Sequence, residues 1–371
     1  MLYYLTCFAI STFLFWLGQN IKPARCEKIF RWSAYGAALL IPAVLAGIRD
    51  NSVGTDMMIY GVPIFESACQ SADFNELFSR WGMKELGYLW LNYTVAQITH
   101  NQIYFFGLIM FVQVLFVFLA LRRWQDKFPI WLGMLVFYLL FFHPSLNIMR
   151  QMLALSIAFF GMQYAFERKF FLFAFWVLLG FLFHYATLLL LLYYPLFWYA
   201  NKFSSKKAVI LFIGAGIVIV MLLMPVLADF LYSLGGTAQY ISYHFAKPEN
   251  SGGFPFNTLI FYSLPAILFF INREKILSAF PKTGYFFQYI TALLVILPFM
   301  LFAGGDWTVR FTYSVTWWLV VLMPAIGYSF DKLPKTLLNT AIIAYCLFYW
   351  YVSFIFLNYG ETAHYLTVFA L

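Results

Sequence analysis

Residues 170–200 read FFLFAFWVLLGFLFHYATLLLLLYYPLFWYA, with no Asp, Glu, Lys or Arg anywhere in the run. A membrane-crossing helix needs about 20 mostly apolar residues, so this run holds two only as short, tilted helices divided at Phe183–His184. Similar stretches recur from one end of the chain to the other. Only 10% of the residues are charged and 63% are hydrophobic, and the mean hydropathy is +0.80. A soluble domain carries about 25% charged residues, and a soluble chain of 371 residues has nowhere to bury so much apolar surface. The composition therefore predicts an all-α, polytopic integral membrane protein, a single transmembrane domain over 1–371.

About twelve spans follow from the length rule: 2–19, 32–48, 103–121, 129–143, 146–166, 170–183, 184–200, 208–225, 256–271, 284–303, 308–330 and 336–358. The first, MLYYLTCFAISTFLFWLG, lacks the basic start and small-residue cleavage site of a signal peptide and reads as uncleaved. The stretch 86–99, GYLWLNYTVAQI and its neighbours, is amphipathic and lies on the membrane or partly in it. Charge supports that arrangement. The loops 20–31, 122–127, 167–169, 201–207, 272–282 and 331–335 fall on one side and hold 17 of the 23 basic residues. The other side keeps Arg49, Arg80, Lys84, Arg150, Lys247 and Arg310, together with 10 of the 15 acidic residues. By the positive-inside rule the rich side is cytoplasmic, and both termini face outward. If 86–99 crossed the membrane, every later loop would invert and the bias would vanish. The net charge of +8 thus belongs to membrane orientation and carries no signal for nucleic acid. Cys7, Cys26, Cys69 and Cys346 show neither CxxC nor metal-ligand spacing, and no disulfide or metal site is expected.

The larger outer segments are 49–102 and 226–255. The first opens with IRDNSVGTDMMIY, a polar island directly after an apolar run. Arg49 there follows a helix C-terminus, where a cation is comfortable. Asn51, Ser52, Gly54 and Thr55 are turn formers; a helix starting at Thr55 would put Asp56 and Tyr60 on one face. In HPSLNIMRQML, Pro144 and Ser145 predict a helix start with Ser145 or Asn147 as cap, and Asn147, Arg150 and Gln151 share a face. In GGDWTVRFTY, Asp306 is the expected cap and Arg310 follows it. Both arginines then sit near helix N-termini that point outward, where free N–H groups and the helix dipole attract an anion. A charge at membrane depth marks function by default, so a phosphate pocket is one reading. Snorkelling of Arg150 and an i,i+4 pair of Arg310 with Asp306 are the plainer ones. His184, deep in GFLFHYATLL, reads either as an interhelical hydrogen-bond partner or as a general base, with His143 a weaker second candidate. The 226–255 segment, GGTAQYISYHFAKPENSGG, reads as an interfacial aromatic belt or as a stacking surface for sugar. No Walker motif, HExxH or DxD-like metal pair occurs, so chemistry on the outer face would need no nucleotide, metal or other cofactor. Its donor would arrive already activated; a lipid pyrophosphate fits, and arginines can stabilise its leaving charge.

At these residues the chain resembles a known group. IRDNSVGTDMMIY is similar to the R-x(n)-VGTD-x-x-x-Y signature of the EpsG-like family of Wzy-type polysaccharide polymerases. NIMRQMLALSIAFFGMQYAFERKF and GFLFHYATLLLLLYYP resemble its N-x-x-RQ…H core, GGDWTVRFTY its late Arg-Tyr element, and KELGYLWLNY an E-x-GY-x-x-L element. The resemblance spans most of 45–315; Asp50, beside Arg49, departs from it. The resemblance implies an enzyme of the bacterial inner membrane with its site facing the periplasm. Such an enzyme joins undecaprenyl-pyrophosphate-linked oligosaccharide units into O-antigen, capsule or exopolysaccharide, alongside a flippase and a chain-length regulator. Carried over, Arg49, Arg150 and Arg310 would bind pyrophosphate. His184 or Asp56 would take the proton of the acceptor hydroxyl. Tyr60, Gln151, Asn147 and Asp306 would contact substrate. A flippase would need polar groups near the midplane and usually internal repeats, whereas the polar groups here gather at the outer rim. An acyltransferase using His184 would draw its donor from the cytoplasmic side, away from that rim. A ligase shares the polymerase chemistry and differs in its acceptor.

Overall fold

The computed structural model describes residues 1–21, 27–82, 85–233, 254–304 and 306–369. Most of the outer segment 226–255, the cations Lys22, Arg25, Lys84 and Lys247, Cys26 and the side chain of Asp306 lie outside the described residues. Among those described there is no strand, only one isolated antiparallel bridge between Arg49 and Thr367.

In chain order the helices begin with α1 (Leu2–Asn20) and α2 (Glu27–Gly47). A π-helical turn (Met57–Gly61) leads into α3 (Val62–Gln70), followed by α4 (Phe74–Trp81) and α5 (Leu86–Ala96). Then come α6 (Gln102–Arg122), α7 (Ile130–Asn147), α8 (Met149–Phe166) and α9 (Phe170–Phe181). After a 3-10 stretch (Tyr185–Leu192) follow α10 (Tyr193–Lys202), α11 (Lys206–Ser233), α12 (Phe256–Ile271) and α13 (Arg273–Ala279). The last are α14 (Gly284–Gly304), α15 (Asp306–Thr316), α16 (Leu319–Tyr328) and α17 (Lys335–Trp350).

Eight helical segments among the described residues are long and apolar enough to cross a membrane by themselves, or nine if α12 and α13, bent by 78°, form one span. The other expected spans have physical reasons to differ. The run 170–200 breaks at Leu182–His184, as the sequence suggests, and its first half is short: α9 has 12 residues, about 18 Å of rise against a hydrocarbon core of about 30 Å. Helix α8 carries Arg150, Gln151 and Ser156 and is buried along most of its length, so it faces protein and needs less apolar surface. Pro144 and Ser145 do not start a helix. Helix α7 runs through Pro144 to Asn147, and the break comes at Ile148 (φ −84, ψ 52). A proline is tolerated inside such a helix when neighbouring groups satisfy the freed backbone.

The chain forms two compact units, Met1–Leu191 with Pro334–Leu371, and Leu192–Leu333. In the first unit the helix ends sort into two sets. At one end the Ile130 amide donates to Gln19 Oε1 at 2.9 Å, Arg122 lies over the Trp32 ring at 4.8 Å, and Arg123 pairs with Glu167 at 2.9 Å. These are the basic loops that the charge bias grouped together. At the other end the C-terminal segment returns over the start of α1 and the end of α2. The Tyr4 hydroxyl donates to the Thr362 carbonyl at 2.7 Å, the Asp50 amide to Leu366 at 2.9 Å, and the Val368 amide to Ile48 at 2.9 Å. His143 is part of this closure: its Nε2 accepts from Trp350 Nε1 at 2.9 Å and its Nδ1 meets Thr362 Oγ1 at 2.7 Å. The accepting Nε2 leaves the ring proton on Nδ1, so His143 is a buried neutral strut. In the second unit, Arg273 Nη2 donates to the Ser204 carbonyl at 2.6 Å and the Tyr289 hydroxyl to Phe203 at 2.7 Å, joining the end of α10 to α13 and α14.

Candidate functional site

The segment IRDNSVGTDMMIY closes over the end of α7. Arg49 is 3% exposed. Its Nη1 donates to the Leu146 carbonyl at 2.6 Å and its Nη2 to Met57 Sδ at 2.8 Å, with the guanidinium 5.6 Å from the Phe106 ring centroid. The last carbonyls of a helix have no partner within it, and a cation is favoured at that end, which lets α7 take a buried arginine. Burial draws its pKa down to about 10, still far enough above neutrality to keep the charge. Arg49 therefore braces the loop from beneath. Asp50 turns into its own loop: its carboxylate accepts from the Ser52 amide at 2.9 Å and hydroxyl at 2.6 Å, which holds it below the usual carboxylate range.

Asn147, the last residue of α7, caps from outside the helix that begins at Thr55. Its Oδ1 accepts from the Asp56 amide at 2.9 Å and the Thr55 hydroxyl at 3.1 Å, supplying an acceptor that a helix start lacks. Gly54 before it has φ 99, a conformation that side chains disfavour. The helix does begin at Thr55, but it runs through the π turn Met57–Gly61, a local widening common at functional sites. Tyr60 lies in that turn and donates to the Asn147 carbonyl at 3.3 Å. Burial, and after it the Asp56 charge, push its phenol well above the ordinary range, so it stays neutral.

Arg150, in the first turn of α8, lies over this tyrosine, with its guanidinium carbon 3.7 Å from the Tyr60 centroid and 5.8 Å from that of Tyr88. Its Nη1 donates to Glu85 Oε2 at 2.5 Å. The other Glu85 oxygen faces His184 Nε2 at 3.7 Å. Side-chain exposure is 22% for Arg150, 8% for Glu85 and 5% for His184, so the arginine is the most open of the three. Packing at Gly87 sets this geometry. The Gly87 amide donates to the Leu182 carbonyl at 2.7 Å, and a Cβ at position 87 would stand 2.8 Å from Leu182 Cβ and 2.9 Å from its carbonyl oxygen. Glycine lets α5 press against the break that presents His184. On the far side of the break, Gly180 is as close to α8: a Cβ there would meet the Ala154 carbonyl at 2.7 Å.

The structure thus gathers Arg49, Asp56, Tyr60, Asn147, Arg150 and His184 in the first unit, with Gln151 buried beside Arg150 at 2% exposure. Arg310 and Asp306 belong to α15 of the second unit. Glu85, central to the cluster, is absent from the residues that the sequence singles out. Its signal was the lone acid opening KELGYLWLNY, legible only as part of a block.

Comparison with curated proteins and with solved structures returned no match. The EpsG family profile matches residues 33–367, nearly the whole chain and every residue of the cluster above. On that match the chain belongs to the EpsG family, whose members are polysaccharide polymerases.

Proposed function

We propose that the chain is a glycosyltransferase that lengthens a polysaccharide by moving a glycan from a lipid pyrophosphate to the hydroxyl of a fresh lipid-linked unit. The site would face the outside of the bacterial inner membrane, with a flippase to deliver substrate and a chain-length regulator to limit it. The observation that carries this reading is Arg150: a guanidinium in the first turn of a helix, stacked on Tyr60, in contact with a carboxylate and still partly open. A helix start and a planar cation together suit a phosphate group. Arg150 would bind the pyrophosphate of the donor and stabilise the charge that develops as it leaves, with Arg49 holding the loop in place. Tyr60, Gln151 and Asn147 would shape the pocket. The sequence offers Asp56 and His184 for taking the proton of the acceptor hydroxyl.

Replacing Arg150 by Ala in the native host tests this. The surface glycan should collapse from a ladder to single repeats, with the protein still present in the membrane. Loss of even the single repeat would point to a flippase or a ligase.

A further inference from the structure

Glu85 has no part in the reading above, yet the cluster converges on it. One carboxylate oxygen takes the Arg150 guanidinium at 2.5 Å and the other faces the His184 imidazole at 3.7 Å. Its backbone is left-handed, φ 62 and ψ 63, in a residue with a full side chain. A nearly buried carboxylate and a left-handed non-glycine residue each oppose folding, and strain of this kind gathers at functional sites. The partners also sort the roles. His184 Nδ1 accepts from the Ala186 amide at 3.2 Å, so that nitrogen carries no proton. The ring proton of the neutral imidazole is then on Nε2, the atom facing Glu85. In this tautomer His184 has its one lone pair engaged and is fitted to donate, not to accept. Glu85 is the group here whose chemistry is to accept.

We infer that Glu85 is the general base of the glycosyl transfer and that Arg150 holds it inactive until the pyrophosphate of the donor claims the guanidinium. This rests on the lipid-pyrophosphate reading above. A carboxylate paired with a guanidinium is a weak base, because protonation forfeits the pair. A pyrophosphate offers the guanidinium stronger, two-pronged hydrogen bonds, and Tyr60 keeps the cation in place beneath it. The freed carboxylate then meets the acceptor. The acceptor O–H bond breaks and its proton passes to Glu85. The electron pair left on oxygen forms the bond to the anomeric carbon. The bond from that carbon to the pyrophosphate breaks, and its electron pair stays on the phosphate oxygen beside Arg150. Glu85 returns its proton to water, and His184 Nε2–H stays close to the carboxylate, 3.7 Å from its second oxygen. Base and donor are thereby coupled: the base acts only when the donor is bound.

The test uses the full chain, in its native host and purified in detergent, with farnesyl pyrophosphate as the binding probe. Glu85→Gln should lower polymerisation about a hundredfold or more, the range for loss of a general base, at normal protein level. The same variant should bind farnesyl pyrophosphate at least as tightly as wild type, because Arg150 no longer has a competing carboxylate. Normal ladders in Glu85→Gln would overturn the proposal, and so would loss of probe binding together with polymerisation, which would make Glu85 a mere support for Arg150. Should that variant fail to fold, Glu85→Asp decides: unchanged probe affinity with slowed polymerisation supports the base, and an unchanged rate overturns it. Failure of the functional reading itself looks different, with wild type binding no farnesyl pyrophosphate and its deletion leaving the ladder intact.

Discussion

Two intramembrane histidines in this chain have opposite surroundings. His143 has both ring nitrogens committed to Thr362 and Trp350, and it stacks on Phe354 at 4.8 Å. His184 shares one nitrogen with a backbone amide and turns the other toward a carboxylate. From sequence the two differ only in their neighbours, and both carry the same chemical promise. Replacing Trp350 by Phe removes the donor to His143 and leaves a buried nitrogen unsatisfied, at a cost of about 1–3 kcal/mol. The expected result is a protein that unfolds at lower temperature in detergent yet still yields full-length glycan per molecule. A ladder lost at unchanged stability would give His143 a part in the chemistry. Asp50 shows the same limit. Beside Arg49 in sequence it looks like an ion-pair partner, but its carboxylate is taken by Ser52 two residues on.

Among the elements, α5 is the one whose placement decides the site. Its amphipathic character and the charge bias argued against a crossing, and its 11 residues agree with that. Nothing in its own sequence says that it docks on the break between α9 and the 3-10 stretch. That contact depends on Gly87, where an added methyl would stand within 3 Å of Leu182 backbone and side chain. Gly87→Ala should force the two elements apart, with a stability loss of about 1–3 kcal/mol from overpacking and a larger fall in polymerisation, since about 1 Å of misplacement can cost a hundredfold in rate. Ladder length measured at matched protein level checks it; an unaffected ladder would mean that α5 does not set the Glu85–His184 distance. The end of α7 is a second case. Asn147 was legible as a cap, but of its own helix; it caps the helix beginning at Thr55 instead, because α7 continues through Pro144.

At the scale of the molecule, the segregation of Lys and Arg predicts orientation, and within the first unit the helix ends sort in the same way. Gln19, Trp32, Arg122 and Glu167 share one end, while Tyr4, Arg49, Asn147 and Thr362 share the other. A cysteine placed at position 125, between α6 and α7, should react with an impermeant thiol reagent only after the membrane is opened. One at position 75, in α4, should react in intact cells. Both side chains are exposed, Cys7 and Cys346 are buried, and the part-exposed Cys69, with Cys26, is replaced by Ser in the labelled protein. Labelling of 125 from outside would refute the orientation.

The transfer of apolar side chains from water is local and nearly additive along a chain, and so is the cost of moving a charge across a membrane. For that reason the sequence by itself determined the membrane class, the all-helical fold, most of the spans, and the family, through blocks of neighbouring residues. Eight or nine of the about twelve expected spans pass the length rule among the described residues; buried helices such as α8 and broken ones such as α9 fall outside it. The site depends on distances between elements that lie far apart in sequence. Arg150 on Tyr60, Glu85 between Arg150 and His184, and Asn147 on Asp56 each follow from close packing at a few contacts. Which acid meets which cation is a matter of ångströms, and only the tertiary structure decided it.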